Sequence, residues 1–298
     1  MTNVEEKNII TSARRWFLLM VLAVASIVSV GAQETSQQYF TVDEMPDLLR
    51  ILPPPPDSTS TQFALDVVRH MWGKAQRLDD ERRAIAISDA EYSLNNLIHI
   101  FSEPFGMAIS FAETPEIYRL LRDFTTTCDN ICKKPKAHYM RVRPFMMFHE
   151  PTLTPNQEAT MIVNGSYPSG HTIFGWCAAL ILSEINPEQT EDLMARGYMY
   201  GESRVIVGAH WQSDVDAGML AASVLHTKLH TSTLFLEQMS KAKAEFLAKK
   251  GGNSNISSLH QRNTTADKNI YNLSGQQLPH QPSNSVYIQS GRKFVPSW

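Results

Sequence analysis

Two histidines, an arginine and a carboxylate fall within one stretch of the 298-residue chain, and a second basic pair precedes them. The stretch opens with Pro168-Ser169-Gly170-His171 and closes with Ser203-Arg204, five residues, His210, three residues and Asp214. Upstream lie Lys136 and Arg143, the latter followed by Pro144. These residue types suit chemistry on a phosphate ester. In such a transfer, charge spreads over three equatorial oxygens, so the protein must supply fixed cations and N–H donors. Arginine pairs two oxygens at once through its planar fork, whereas lysine acts as a point charge. Arg143 and Arg204 are the candidate forks and Lys136 the point charge.

Each part of the pattern also has a plainer explanation. Ser169 stands where a helix N-cap would be, and the helix start offers free N–H groups and a positive dipole end to an anion. Gly170 lets the backbone come close without a Cβ in the way. Taken alone, however, Ser-Gly before a helix is an ordinary capped start. His210 and Asp214 are four apart and share one face of a helical turn. Asp214 accepting from one ring nitrogen would fix the tautomer and leave the other nitrogen free to attack phosphorus. An i,i+4 pair of this kind is also a common structural device, and Ser213 and Asp216 read as a capping signal in the same segment.

Helices must position these residues. Phe63, Val67, Val68, Met71 and Trp72 recur at helical spacing, with Ser60 or Thr61 as cap. A second helix is predicted through Ile85, Ile87, Tyr92 and Leu97 toward Ile100, broken by Pro104 and Gly106. Thr114-Pro115 starts a third, with Ile117, Leu120, Leu121 and Phe124 on one face. Phe145 to Pro155 reads as irregular, and Thr154-Pro155 opens a short helix toward Val163. Further helices are predicted over 170–184, 188–207, 213–230 and 232–250. Strand alternation is nearly absent from these segments. The fold class is all-α, a single multi-helix, bundle-like domain over 58–250.

The ends differ from this domain. Arg14-Arg15, the apolar run Trp16 to Val28 and the small residues Val30-Gly31-Ala32 predict an export signal over 1–32. The run is short for a membrane span. The twin arginines fit one export route and the strongly apolar run fits general secretion equally well. Residues 33–57, ending in Pro53-Pro54-Pro55-Pro56, read as an extended strap or linker. From Gly251 to Lys268 the chain is polar and reads as a linker. The tail to Trp298 holds two short β-like runs, from Ile270 and from Val286, and reads equally as β-like or disordered. Apolar residues make up 43% and the net charge is −3, so the footprint of a nucleic-acid binder is missing. The three cysteines, Cys128, Cys132 and Cys177, read as buried apolar residues. His226 and His230 have a metal-ligand spacing, but Thr227-Lys228-Leu229 between them lacks the Glu of a zinc-protease motif, and a surface helix end is the simpler reading. His138 and His149 lie near Arg143 without a defined role.

The combination is more specific than its parts. Lys136, six residues, Arg143-Pro144, then Pro168-Ser169-Gly170-His171, then Ser203-Arg204, His210 and Asp214, resembles the three-part signature of the phosphatidic acid phosphatase type 2 (PAP2) superfamily. The flanking residues His138-Tyr139-Met140-Arg141-Val142, Asn164-Gly165-Ser166-Tyr167, Leu182-Ser183-Glu184-Ile185-Asn186-Pro187 and Trp211-Gln212-Ser213 with Val215-Asp216 are similar to class A bacterial non-specific acid phosphatases. The resemblance covers roughly residues 60–250 and leaves the tail outside. It implies His210 as a nucleophile forming a phosphohistidine, Asp214 as its orienting partner and His171 as general acid. It further implies Lys136, Arg143, Ser169, the Gly170 amide and Arg204 as phosphate ligands, with no cofactor and no metal. Small phosphomonoesters such as nucleotides and sugar phosphates are the implied substrates, in the periplasm or outside the cell. No nucleic-acid or membrane partner is implied for the mature chain, and a homodimer is. Two alternatives stay open, a vanadium-dependent haloperoxidase-like enzyme and a phosphotransferase to alcohols or nucleosides.

Overall fold

The computed structural model describes residues 35–261 and the short segments 270–272, 277–278, 287–289 and 292–294. The export signal predicted over 1–32 lies outside the described residues. From 35 to 261 the chain is helical and irregular, with no strand. Among the described residues no helix is long and apolar enough to cross a membrane.

Helix α9, Gly170–Ile185, is the central element. Its sequence is apolar nearly all round, which marks a helix enclosed by others, and Ile173, Phe174, Cys177, Ala178, Ile181 and Leu182 are fully buried. It packs chiefly on α10, Thr190–Val207, and α11, Gln212–Leu229. The approach to α11 is close enough to require glycine. A Cβ on Gly218 would lie 2.8 Å from Thr172 Cβ and 3.0 Å from the Ser169 carbonyl oxygen. Helix α5, Pro115–Cys128, buries the predicted face of Ile117, Leu120, Leu121 and Phe124. It packs on α12, Thr233–Gln261, whose Phe235, Met239, Ala242 and Phe246 form a facing buried stripe.

The N-terminal strap joins this core. Tyr39, Met45, Leu48 and Leu52 are buried, with Leu48 in the short helix α1, Leu48–Ile51. Backbone N–H groups of Gln37 and Tyr39 donate to Asp123 Oδ1 and Thr127 Oγ1 of α5 at 3.0 and 2.9 Å. Beyond the prolines, α2 spans Thr61–Gln76 and takes Ser60 as its cap.

Four expectations change. The predicted helix through Ile85 to Ile100 is two helices, α3, Asp80–Ser88, and α4, Leu94–Phe105. Asp89 turns inward between them, fully buried, to accept from Arg196 and from Ser203 Oγ, and Ser93 caps the new start. Pro104 stays inside the last turn of α4, and left-handed Gly106 ends it. Beyond α6, Lys133–Tyr139, the stretch read as irregular holds a short helix, α7, Pro144–Phe148, whereas α8, Glu158–Ile162, is the short helix expected after Thr154-Pro155. Finally, α12 runs through Gly251 to Gln261, where a linker was expected. In the tail, Ile270–Asn272, Gln277–Leu278, Tyr287–Gln289 and Arg292–Phe294 are paired as antiparallel strands. The three cysteines are free and buried.

Candidate active site

A pocket of about 350 Å³ opens at the N-terminal ends of α9 and α11. Lys136, Arg143, Gly170, His171, Arg204 and His210 line it, together with Ala90, Tyr92 and Asp129. Local structure explains each placement. Ser169 caps α9, its Oγ accepting from Thr172 N at 3.3 Å, and this puts Gly170 and His171 in the first turn. Helix α10 ends at Gly208, which has φ +88°, a left-handed value that glycine tolerates best. The chain then folds back, so that the Arg204 carbonyl accepts from Ala209 N and His210 N at 3.1 and 3.3 Å. His210 is thereby held beside the arginine six residues before it.

The tautomer of His210 follows from its neighbours. Arg143 Nη1 lies 3.0 Å from His210 Nε2, and a guanidinium can only donate. Nε2 therefore carries a lone pair and Nδ1 the hydrogen. Nδ1 is 3.3 Å from Ser166 Oγ, which donates to Asp214 Oδ2 at 2.5 Å. Asp214 Oδ2 itself stands 3.4 Å from Nδ1. The sequence suggested a direct acceptor, and the structure places a serine hydroxyl alongside that contact. Asp214 also accepts from Trp211 N at 2.8 Å, so this carboxylate, and not Ser213 or Asp216, caps the start of α11. Its other oxygen accepts from Arg141, which also pairs with buried Asp66 at 2.7 Å. Asp66 in turn accepts from Ser213 N and Ser213 Oγ at 2.8 and 2.6 Å.

The three cations are held differently. Arg143 donates from Nε to the carbonyls of Met161 and Asn164 and from Nη1 to that of Ala209. Its Nη2 donates to the Gly165 carbonyl at 3.3 Å. Lys136 Nζ donates to the same Gly165 carbonyl at 2.7 Å. Arg204 is fully buried, and none of its three guanidinium nitrogens makes a hydrogen bond among the described residues. Burial pushes Lys136 down to about 8 and both Arg143 and Arg204 down to about 10.

His210 titrates well below its ordinary value, first through burial and then through Arg143, Lys136 and Arg204. His171 is also well below its ordinary value, through burial and Arg204, with the Ala90 carbonyl pulling the other way. That carbonyl accepts from His171 Nε2 at 3.1 Å, and Tyr92 packs edge-on against the ring at 4.9 Å.

Two predicted residues lie behind the pocket wall. Ser169 is fully buried, its hydroxyl engaged with Thr172, and Asp214 is equally buried. His138 and His149 do not line the pocket. Sequence reasoning named Ser166, Arg141 and Tyr92 without a site role and missed Asp66 and the Ala90 carbonyl. Only proximity to the motifs could have marked Ser166 and Arg141.

A model of the PAP2 superfamily matches residues 124–236, which include every site residue predicted from the sequence. A non-specific acid phosphatase of Providencia stuartii is 42% identical over 201 residues, 67% of this chain and 81% of that protein. One of Salmonella typhimurium is 37% identical over 78% of this chain and 92% of its own length. An acid phosphatase of Zymomonas mobilis is 33% identical over 77% and 89%. With its helical fold and this pocket, the chain belongs to the PAP2 superfamily, among the non-specific acid phosphatases, which are phosphoric monoester hydrolases.

Proposed function

We propose that the chain is an exported acid phosphatase of broad specificity that hydrolyses small phosphomonoesters through a phosphohistidine at His210, with no metal in the reaction. The observation that supports this most strongly is Arg204. Its five N–H donors are buried and unpaired among the described residues, beside a histidine whose lone pair is already fixed on Nε2. A phosphoryl group would satisfy both at once. Lys136, Arg143 and Arg204 provide the positive charge that a metal supplies in other phosphatases. The N-terminal pattern from Arg14 to Ala32 supports export to the periplasm or beyond.

The geometry supports the following steps. His210 Nε2 attacks phosphorus, and the Nη1–H of Arg143 turns from Nε2 to a phosphate oxygen. The ester P–O bond breaks, and the leaving oxygen takes a proton from His171. Because His171 Nε2–H is engaged by Ala90, Nδ1 is the atom that gains and releases the proton. Water then attacks phosphorus, its proton passing to His171, while the P–N bond breaks and its electron pair returns to Nε2. The lowered His210 keeps the nucleophile neutral in acid. The phosphate of the substrate offsets the three cations and lets His171 regain its proton.

Quench-flow with labelled substrate tests the assignment. The wild type should accumulate phosphohistidine, and His210→Ala should accumulate none. His171→Ala should lose roughly 10²–10⁴-fold on an alkyl phosphate and much less on p-nitrophenyl phosphate, whose leaving group needs no proton. Equal losses on both substrates would remove the acid role. Halide oxidation with vanadate and peroxide, in place of phosphate release, would move the chain to the haloperoxidase reading.

A further inference from the structure

The far ends of the same two helices hold a second cluster of ionisable groups. Glu184, in the last turn of α9, meets His226 and His230 at the end of α11. Both imidazole Nε2 atoms stand 2.8 Å from the same carboxylate oxygen, Glu184 Oε1. One ligand atom from each of the three residues falls within 4.8 Å of the others. Glu184 Oε2 is taken by Lys243 Nζ at 3.1 Å, which leaves Oε1 turned toward the rings.

The hydrogen-bond pattern leaves a gap that a cation fills. His230 Nδ1 lies 2.8 Å from the His226 carbonyl oxygen, which can only accept. Nδ1 therefore carries the hydrogen, and in the neutral ring Nε2 is a bare lone pair. A lone pair facing a carboxylate oxygen at 2.8 Å is repulsive unless a positive centre lies between them. His226 Nε2 is buried and, at the same distance from the same oxygen, has no hydrogen-bond partner among the described residues. Protons alone would require one on each Nε2, with His230 an imidazolium, whereas one metal ion takes the place of both. A metal ion is served by three lone pairs converging without donor alignment.

We propose that Glu184, His226 and His230 form a binding site for a divalent first-row transition ion, with zinc as the ion the donor set suits. Two imidazoles and one carboxylate are borderline ligands of that class, whereas calcium and magnesium prefer oxygen shells. The supporting contacts are those such a site needs. The backbone bond fixes the His230 tautomer, and Phe235 packs across its ring at 5.2 Å. All three ligands are partly exposed, so an ion has a path in. At 1.5 Å per residue, Glu184 lies about 21 Å along α9 from Gly170. The ion would thus tie α9 to α11 at the ends remote from the pocket and take no part in turnover.

The test uses the whole exported protein, stripped with chelator and titrated with zinc at pH 7.5 by calorimetry, with calcium as control. One zinc per chain should bind at micromolar or tighter Kd, and calcium should not bind. At a hundredfold excess over Kd, zinc should raise Tm by roughly 5–10 °C. Glu184→Gln and His230→Gln should each weaken binding at least tenfold and remove the Tm rise, with turnover of p-nitrophenyl phosphate unchanged. No zinc binding by the wild type would overturn the proposal and leave the cluster a proton-sharing pair. Equal binding by both variants would also overturn it, because the zinc would then sit elsewhere.

Discussion

Helices α9 and α11 start at one cluster of histidine and carboxylate and end at another, and the two clusters are built for opposite charges. At the N-terminal ends, His210 and Asp214 are surrounded by Lys136, Arg141, Arg143 and Arg204. At the C-terminal ends, His226 and His230 converge on Glu184, with Lys243 as the neighbouring cation. The helix dipoles run the same way, positive at the starts and negative at the ends. Residue type alone does not separate the clusters, since both contain i,i+4 pairs that include a histidine. What separates them is what the carboxylate faces. Asp214 is consumed by Arg141, Ser166 and Trp211 N and leaves the pocket positive. Glu184 keeps one oxygen for the rings.

The contrast breaks most sharply at Arg204. Of the three pocket cations, it alone has all its nitrogens buried without a hydrogen bond, so it has the most to give a transition-state oxyanion. Arg204→Lys keeps a charge but loses the fork, and kcat/KM should fall on the order of 10²–10³-fold. Zinc binding at the far end should not change. A loss below tenfold would mean that Lys136 and Arg143 suffice, and the emphasis on Arg204 would be misplaced.

Much of this was open to sequence reasoning, for physical reasons that differ by region. The apolar period of α5 survives folding because one face only is buried, so Ile117, Leu120, Leu121 and Phe124 could be named in advance. The break between α3 and α4 could not, because it depends on Asp89 finding Arg196 and Ser203 more than a hundred residues away. That break matters, since it delivers Ala90 and Tyr92 to His171. The meeting of Lys136, Arg143, His171, Arg204 and His210 was legible through the family resemblance that the three motifs carry together. The burial of Arg204 and the position of Ser166 were not. At the far cluster no acid stands between His226 and His230 in the sequence, and Glu184 reaches them from a different helix.

A smaller effect separates the cations by pH. Lys136 ordinarily titrates at 10.5 and is lowered to about 8, by burial first and by Arg143 second. Below that value it is charged and binds phosphate; above it the pocket loses one of three positive charges. On p-nitrophenyl phosphate, whose leaving group needs no proton from His171, kcat/KM, which reports the free enzyme, should therefore fall above pH about 8, approaching tenfold by pH 9. Bound phosphate favours the charged amine, so the same limb in kcat should lie at higher pH. Lys136→Arg should move the kcat/KM limb upward. A limb unmoved in that variant would assign the titration to another group.

The smallest predicted effect concerns the link between His210 and Asp214. Ser166 Oγ donates to Asp214 at 2.5 Å and stands 3.3 Å from His210 Nδ1, while the ring and the carboxylate are 3.4 Å apart. The hydroxyl can accept from Nδ1–H and pass the negative field of Asp214 to the ring. Ser166→Ala removes that bridge in a fully buried position and leaves the carboxylate with its bonds from Arg141 and Trp211 N. One such hydrogen bond is worth about 0.5–1.5 kcal/mol, so kcat should fall roughly threefold to tenfold. The choice of tautomer in the neutral ring does not depend on pH, so the loss should be even across the profile, and Ser166→Thr, which restores the hydroxyl, should recover part of it. A variant as active as the wild type at every pH would show that Asp214 acts on His210 directly. The two ends of α11 would then share one kind of histidine–carboxylate contact, and the distinction drawn between them would rest on the surrounding cations alone.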